Sequence, residues 1–152
     1  MTLTDEFLAR IGENESLLES LEVKKVEVKK VRVLVVDDLP TVRESLRTIL
    51  GLEEDLEVVG EATNAPEAVQ ASQQLRPDVV LMDLEMPDPS QMDGIDACRE
   101  IKNQHLAQGV VLLTIHADLA TRQRAAAAGC DCFLEKGTNS GELLGQLRRL
   151  GA

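Results

Sequence analysis

Aromatic side chains are nearly absent from this chain, which has two Phe and no Tyr or Trp among its 152 residues. Apolar residues nevertheless make up 43% of the sequence. A hydrophobic core must therefore be aliphatic, built from Val, Leu, Ile and Ala. The length is that of one domain with some residues to spare.

Basic residues are also scarce: 16 Lys and Arg stand against 27 Asp and Glu, which gives a formal net charge of −11. Because binding of nucleic-acid phosphates needs clustered Lys and Arg, this balance predicts no direct nucleic-acid partner. The sequence also lacks an apolar run long enough to span a bilayer, and a signal peptide with a basic start and an apolar centre. We therefore expect a cytoplasmic protein without a membrane partner.

Cysteine and histidine are too few and too scattered for a zinc-type site. Cys98, Cys130 and Cys132 form no CxxC pair, and His105 and His116 are isolated from them and from each other. We interpret the cysteines as small buried hydrophobic residues. Because Cys130 and Cys132 flank one residue of a strand-like run, we expect both to point to the same face of a sheet.

From residue 31 onward, strand-like apolar runs alternate with helical patterns. The predicted strands are Val31–Val36, Leu56–Val59 (ended by Gly60), Asp78–Met82, Val110–Leu113 and Cys132–Glu135. The predicted helices start after Pro40, at Pro66, and at about Asp93, Leu119 and Ser140, and they end near Gly51, Leu75, Gln104, Ala128 and Leu150. This alternation, with right-handed crossovers, predicts an α/β fold: a doubly wound, five-stranded parallel sheet.

Polar residues follow the apolar runs at the points where the predicted strands end. Asp37 and Asp38 follow the first strand, Asp83 the third, Thr114 the fourth and Lys136 the fifth. The carboxyl ends of parallel strands line one crevice, so we expect these side chains to converge. Crowded carboxylates repel unless a cation joins them, and Mg²⁺ suits such a cluster. A lysine and a threonine beside it can hold a phosphoryl group.

In these residues the chain resembles bacterial response-regulator receiver domains. The resemblance covers roughly residues 31 to 150 and rests on an ordered set of motifs: Asp37-Asp38, Met82-Asp83, Met86-Pro87, Met92-Asp93-Gly94, Leu113-Thr114 and Lys136. One Asp pair would be a weak signal, but the ordered set is highly specific. The resemblance implies the flavodoxin-like strand order 2-1-3-4-5 for a receiver domain at residues 31–152.

The resemblance also implies a role for each site residue. Asp83 matches the phosphoacceptor and a metal ligand, and Asp38 matches the direct Mg²⁺ ligand. Asp37 matches the residue that holds the ion through water, and the main-chain carbonyl of Glu85 is the remaining protein ligand.

The other matched positions belong to the conformational switch. Thr114 matches the switch hydroxyl, Lys136 the lysine that contacts the phosphoryl group, and Phe133 the aromatic switch residue. Movement of Thr114 toward the phosphoryl group would make room for Phe133 to turn inward. The surface formed by the fourth helix, fifth strand and fifth helix would then change shape and address a downstream protein target.

The expected function is therefore Mg²⁺-dependent phosphorylation of Asp83 in a two-component or phosphorelay pathway. The implied donor is a sensor histidine kinase or a histidine phosphotransfer protein. We expect no enzyme activity beyond self-catalysed phosphotransfer to Asp83 and slow autodephosphorylation. One departure from the family pattern is the stretch Asp88–Gln91, which is longer than the single residue usual there and is predicted to be mobile.

Several alternatives remain at this point. Since the sequence ends at Gly151-Ala152 after the last helix, we expect a stand-alone receiver; the receiver portion of a helix-turn-helix transcription regulator is the alternative. A haloacid-dehalogenase-like phosphohydrolase would need a second Asp where this chain has Glu85. A phosphorylation-independent pseudo-receiver is disfavoured by the intact acidic set.

Residues 1–30 lie outside the resemblance and form a separate N-terminal extension. Phe7, Ile11, Leu17 and Leu21 belong to one or two short amphipathic helical patterns. The segment is interpreted as a helical or partly disordered tail, as a docking or dimerising helix that would make a homodimer possible, or as a remnant of cloning.

Overall fold

The computed structural model describes residues 29–115 and 117–152 of the chain. These residues form one five-stranded parallel sheet with the strand order β2-β1-β3-β4-β5. The strands are β1 Val31–Val36, β2 Leu56–Ala62, β3 Val79–Asp83, β4 Gly109–Thr114 and β5 Cys132–Glu135. The helices are α1 Pro40–Gly51, α2 Ala65–Leu75, α3 Gly94–Asn103, α4 Leu119–Ala127 and α5 Ser140–Gly151. The predicted fold class and strand order are confirmed.

Both faces of the sheet are covered, which explains why its strands read as continuous apolar runs. Every residue of β3 and β4 is buried. Alternate side chains of a strand point to opposite faces, so Leu34 and Leu112 pack with α2, α3 and α4, whereas Val33 and Val111 pack with α1 and α5. The core is aliphatic, as the composition requires.

Short polar side chains fix the starts of four helices. The side chains of Asn64, Asp93, Asp118 and Asn139 each accept a hydrogen bond from a backbone N–H three residues further on. At α3 the bond is reciprocated by Asp96, which completes a capping box. These caps determine where the loops at the C-terminal edge of the sheet end and the following helices begin.

Two local predictions are wrong. Strand β2 does not end at Gly60 but continues to Ala62. Gly60 serves packing rather than chain termination, because a Cβ at this position would lie 2.6 Å from Cδ1 of Leu75. Cys130 and Cys132 do not share a face: Cys130 precedes β5 and packs with the α2–α3–α4 layer, whereas Cys132 packs with the α1–α5 layer.

Two expectations fall outside what the structure describes. Residues 1–28, with their predicted amphipathic pattern, lie outside the described residues, and so does His116. Lys29 and Lys30 are described and belong to no helix or strand. Within the described part of the chain, no helix has the length and apolar content needed to cross a membrane.

Candidate functional site

Four of the five polar side chains predicted to converge meet at the C-terminal edge of the sheet, and the fifth, Thr114, ends the neighbouring strand β4. Strands β1 and β3 are direct neighbours at the centre of the sheet, where the strand order reverses and a crevice opens. Asp37 and Asp38 follow β1, and Asp83 ends β3. One carboxylate oxygen from each of these three lies within 4.8 Å of the others.

Lys136 supplies positive charge to this acidic cluster. Its ammonium Nζ lies 3.1 Å from an Asp83 carboxylate oxygen and 3.5 Å from an Asp37 carboxylate oxygen. Its main-chain N–H donates to the carbonyl of Thr114 over 2.7 Å, which ties the end of β5 to the end of β4. Asp83 is only 3% exposed and Asp37 only 1%, so the two carboxylates lie well inside the crevice.

The electrostatics of the site make Asp83 harder to ionise than a free aspartate. Burial raises the pKa of Asp83 to about 6, the negative charge of Asp37 adds to this, and Lys136 partly offsets both. Burial acts to lower the pKa of Lys136, but the hydrogen bond and charge of Asp83 outweigh burial and raise it overall. Among the described residues, the cluster of three carboxylates has one ammonium in salt-bridge contact, that of Lys136, so negative charge is in excess.

The two aspartates after β1 differ in their surroundings. Asp37 is locked in place: its carboxylate accepts from the Leu39 N–H over 2.9 Å, and its carbonyl accepts from the Arg43 guanidinium over 2.8 Å. Asp38 is half-buried and therefore the more accessible of the two. This difference fits the expectation that Asp38 meets an ion directly.

The residues present fit a magnesium ion by the chemistry of their donors. The cluster consists of carboxylate oxygens alone, which Mg²⁺ prefers, and the ion typically keeps several waters beside one or two carboxylates. The second observation in favour is that burial, together with the negative charge of Asp37, raises the pKa of Asp83, which a bound cation would offset. Asp38, Asp83 and the carbonyl of Glu85 would hold the ion, with Asp37 behind them.

Sequence reasoning assigned Glu85 as a metal ligand through its main-chain carbonyl, and it did not predict the contact that its side chain makes with Thr114. The Glu85 main-chain N–H donates to Asp83 Oδ1 over 3.2 Å, and the Glu85 carboxylate accepts from the Thr114 hydroxyl over 2.5 Å. The signal was present in the strand order. Asp83 is in register with Leu113, so the residues just after Asp83 lie level with Thr114.

Phe133 is half-buried and lies on the same face of the sheet as Thr114. It is in register with Leu112, and Thr114 is two residues further along β4. The Arg122 guanidinium lies 5.3 Å from the Phe133 ring centroid and 3.8 Å from a Glu135 carboxylate oxygen. A helix α4 side chain thus contacts the aromatic residue predicted to switch; the switching itself stays a prediction.

The stretch Asp88–Gln91 forms a turn held by its own hydrogen bonds. The Asp88 carboxylate accepts from the Ser90 N–H, and the Asp88 carbonyl accepts from the Gln91 N–H. It leads directly into Gly94, where a Cβ would lie 2.6 Å from the carbonyl oxygen of Asp83. Helix α3 therefore needs a glycine here to start against the end of β3. The predicted mobility of the stretch stays a prediction.

Comparisons with known proteins agree with this geometry. A family model for the response regulator receiver domain matches residues 33–148. The response regulator protein VraR of Staphylococcus epidermidis is 36% identical over 119 residues, which cover 78% of this chain and 56% of VraR. The solved signal receiver domain of NarL from Mycobacterium tuberculosis has a TM-score of 0.75 at 31% identity and covers 81% of this chain and 97% of its own.

Two expectations about the setting of the domain gain no support from these comparisons. This chain spans about half the length of the curated relatives it matches, so the stand-alone receiver stays a prediction. A structural neighbour from Staphylococcus aureus, with a TM-score of 0.72 at 22% identity, covering 80% of this chain and 99% of its own, is a DNA-binding response regulator of the LuxR family. The likeness therefore does not support the absence of a nucleic-acid partner.

The motifs, the acidic crevice with its lysine, the strand order and the matches all agree. The chain belongs to the family of response regulator receiver domains, which work in two-component signalling.

Proposed function

We propose that this receiver is an Mg²⁺-dependent phosphoacceptor whose phosphorylated residue is Asp83. The observation that carries the proposal is the placement of Asp83 between an acidic neighbour and an ammonium. Burial and then the charge of Asp37 raise the pKa of Asp83, and Lys136 contacts its carboxylate over 3.1 Å. A buried carboxylate in this position is held ready as a nucleophile, with a cation beside it to receive the incoming charge.

The chemistry follows from the residues present. An oxygen of the ionised Asp83 carboxylate attacks phosphorus, and a mixed anhydride forms. The bond from phosphorus to the donor breaks, and the leaving group departs with the electron pair. Lys136 and the Thr114 hydroxyl would donate hydrogen bonds to the phosphoryl oxygens. Bound Mg²⁺ would neutralise charge on those oxygens.

The phosphoryl group can shift the conformation because it adds charge and acceptors at the buried crevice. Each charge-assisted hydrogen bond, from Lys136 and from Thr114, is worth about 1.5–3 kcal/mol. Moving a two-state protein from about 1:99 to 99:1 needs about 5.5 kcal/mol. Two such bonds together supply about 3–6 kcal/mol, which reaches the required value only near the upper end of that range.

The partners follow from the family and from the surface. We propose a phosphohistidine donor, on a sensor histidine kinase or a histidine phosphotransfer protein. The downstream protein target would meet the face of α4, β5 and α5, where Arg122 holds Phe133 and pairs with Glu135. The domain would carry no catalytic activity beyond its own phosphorylation and slow dephosphorylation.

The length of the relatives favours a second setting for the same chemistry. VraR extends well beyond its match, so this receiver can also be the receiver portion of a helix-turn-helix regulator rather than a stand-alone domain. The reading frame of the source gene decides between the two: a stop codon after Ala152 favours the stand-alone receiver, and a continuing frame favours the regulator.

The phosphoacceptor proposal is tested by incubation with Mg²⁺ and acetyl phosphate, followed by intact mass spectrometry. The protein should gain one phosphoryl group, and a chelator should abolish the gain. Asp83→Asn should gain none, because the amide cannot form the anhydride. A full gain in that variant would refute the assignment.

A further inference from the structure

The side chain of Glu85 contacts the switch hydroxyl in the absence of a phosphoryl group. Its carboxylate accepts from Thr114 Oγ1 over 2.5 Å, and Thr114 is fully buried. The main-chain N–H of the same residue donates to the Asp83 carboxylate. Glu85 therefore contacts both the phosphoacceptor and the switch residue, which no role for its carbonyl explains.

A threonine hydroxyl has a single proton to donate. If that proton is donated to Glu85, it cannot also be donated to a phosphoryl oxygen on Asp83. Donation to a carboxylate is charge-assisted and stronger than donation to a neutral acceptor. The two acceptors therefore compete for one hydroxyl, whatever other contacts the Thr114 side chain makes.

We propose that Glu85 is a positioning residue that restrains the switch: its carboxylate holds the Thr114 hydroxyl in the unphosphorylated protein, and the phosphoryl group must take that hydroxyl away. This inference rests on the proposed phosphorylation of Asp83. Glu85 sets the threshold of the switch, because the energy of the bond that is lost is subtracted from the energy of the bond that is gained. In a receiver without this carboxylate, the same phosphoryl group would shift a larger fraction of the molecules to the active conformation.

The carboxylate of Glu85 also repels any anion at Asp83, so its two effects must be separated. Thr114→Val keeps the branched shape of the side chain and removes the hydroxyl. Glu85→Ala in the presence and absence of that hydroxyl therefore gives a double-mutant cycle. Asp88→Asn is the matched charge control, since Asp88 lies in the same loop, its carboxylate accepts from Ser90, and an Asn keeps an acceptor there.

The experiment measures the affinity for beryllofluoride, a phosphoryl analogue, by calorimetry at fixed Mg²⁺. Glu85→Ala should tighten binding about tenfold, which is on the order of 1.4 kcal/mol. In the Thr114→Val background, Glu85→Ala should change the affinity for beryllofluoride only slightly, by about as much as the charge control Asp88→Asn does. Glu85→Gln, which keeps a neutral acceptor, should fall between the parent and Glu85→Ala. An equal effect of Glu85→Ala in both backgrounds, or weaker binding in the presence of the hydroxyl, would overturn the proposal.

A second measurement needs no phosphoryl analogue and separates this proposal from the proposed function. The methyl resonance of Thr114 in the free protein reports the orientation of its side chain. Glu85→Ala should shift this resonance, and Asp88→Asn should not. If the resonance is the same in Glu85→Ala and the parent, Glu85 does not hold the hydroxyl. If the parent binds no beryllofluoride, or Asp83→Asn binds it equally well, the phosphoacceptor assignment fails instead.

Discussion

Aspartates lie at both edges of the sheet, and their surroundings differ. At the N-terminal edge, Asp55, Asp78 and Asp131 precede strands and have partners. Asp55 receives two hydrogen bonds from the Arg148 guanidinium, of 2.6 and 3.0 Å. Asp78 accepts from the Arg32 N–H, and Asp131 accepts from the Val110 N–H and from a lysine.

At the C-terminal edge, three aspartates that follow strands, Asp37, Asp38 and Asp83, lie close together. Within the part of the chain that the structure describes, Lys136 is the cation that pairs with them, and its ammonium contacts Asp37 and Asp83. The pKa values express the difference: the hydrogen bond from Arg148 lowers the pKa of Asp55, whereas burial and the charge of Asp37 raise the pKa of Asp83 to about 6. We infer that the aspartates at the N-terminal edge hold the fold together, whereas those at the C-terminal edge are held ready for a ligand.

The largest expected difference between the two edges is in phosphorylation. Asp38→Ala should abolish phosphorylation by acetyl phosphate, because it removes the most accessible carboxylate of the proposed magnesium site. Asp55→Asn removes the same charge at the other edge and should leave the rate unchanged. Intact mass against time, at saturating Mg²⁺, measures both. Phosphorylation of Asp38→Ala at the parent rate would show that the metal role is misassigned.

The second difference is in the pH dependence of stability. Since the folded state binds the Asp83 proton more tightly than the unfolded state does, stability falls as pH rises from 3.8 through about 6. Without divalent ions, Asp83→Asn should therefore raise the free energy of unfolding at pH 7.5 by on the order of 2–3 kcal/mol, and the gain should vanish near pH 4. Asp55→Asn should instead lower the free energy of unfolding at pH 7.5. The hydrogen bond from Arg148 lowers the pKa of Asp55 in the folded state, and this contributes stability at every pH above the pKa of the unfolded state.

Urea unfolding in a chelating buffer at the two pH values checks these signs. Added Mg²⁺ should reduce the advantage of Asp83→Asn, because an ion that binds only the folded parent stabilises it. Equal stability of the parent and Asp83→Asn at pH 7.5 would mean that the ionised Asp83 carboxylate does not destabilise the folded state.

The smallest effect is expected from the loop beside the crevice. Shortening Asp88–Gln91 to one residue should leave phosphorylation by acetyl phosphate roughly unchanged, because the loop's own hydrogen bonds do not reach Asp83. We predict that the loop lies beside the mouth of the site, so the rate with a protein donor is the comparison. Complete loss with the small donor would make the loop part of the site.

Much of this organisation could be predicted from the sequence because it depends on local patterns. Alternating apolar runs and helical spacing predicted the fold class, the resemblance to receiver domains implied the strand order, and the strand ends indicated where the candidate site lies. The same reasoning failed at Gly60, where packing against Leu75 from α2, not chain flexibility, selects the glycine. It also failed at Cys130, because alternation applies only within a strand and β5 begins at Cys132.

The side-chain contact between Glu85 and Thr114 was harder to foresee. The two residues are 29 positions apart, and their meeting depends on β3 and β4 being neighbours in register. The sequence also could not separate the two groups of aspartates by residue type. Only the partners from distant elements, such as Arg148 for Asp55, distinguish the aspartates at the N-terminal edge from those at the C-terminal edge.

The most direct test of the central claim is the location of the phosphoryl group itself. Borohydride reduces an acyl phosphate to the alcohol, so a phosphorylated aspartate becomes homoserine. After treatment with acetyl phosphate, Mg²⁺ and borohydride, peptide mass mapping should find homoserine at position 83 and aspartate unchanged at positions 37, 38 and 55. Homoserine at any of those three positions, or at none of the four, would contradict the account.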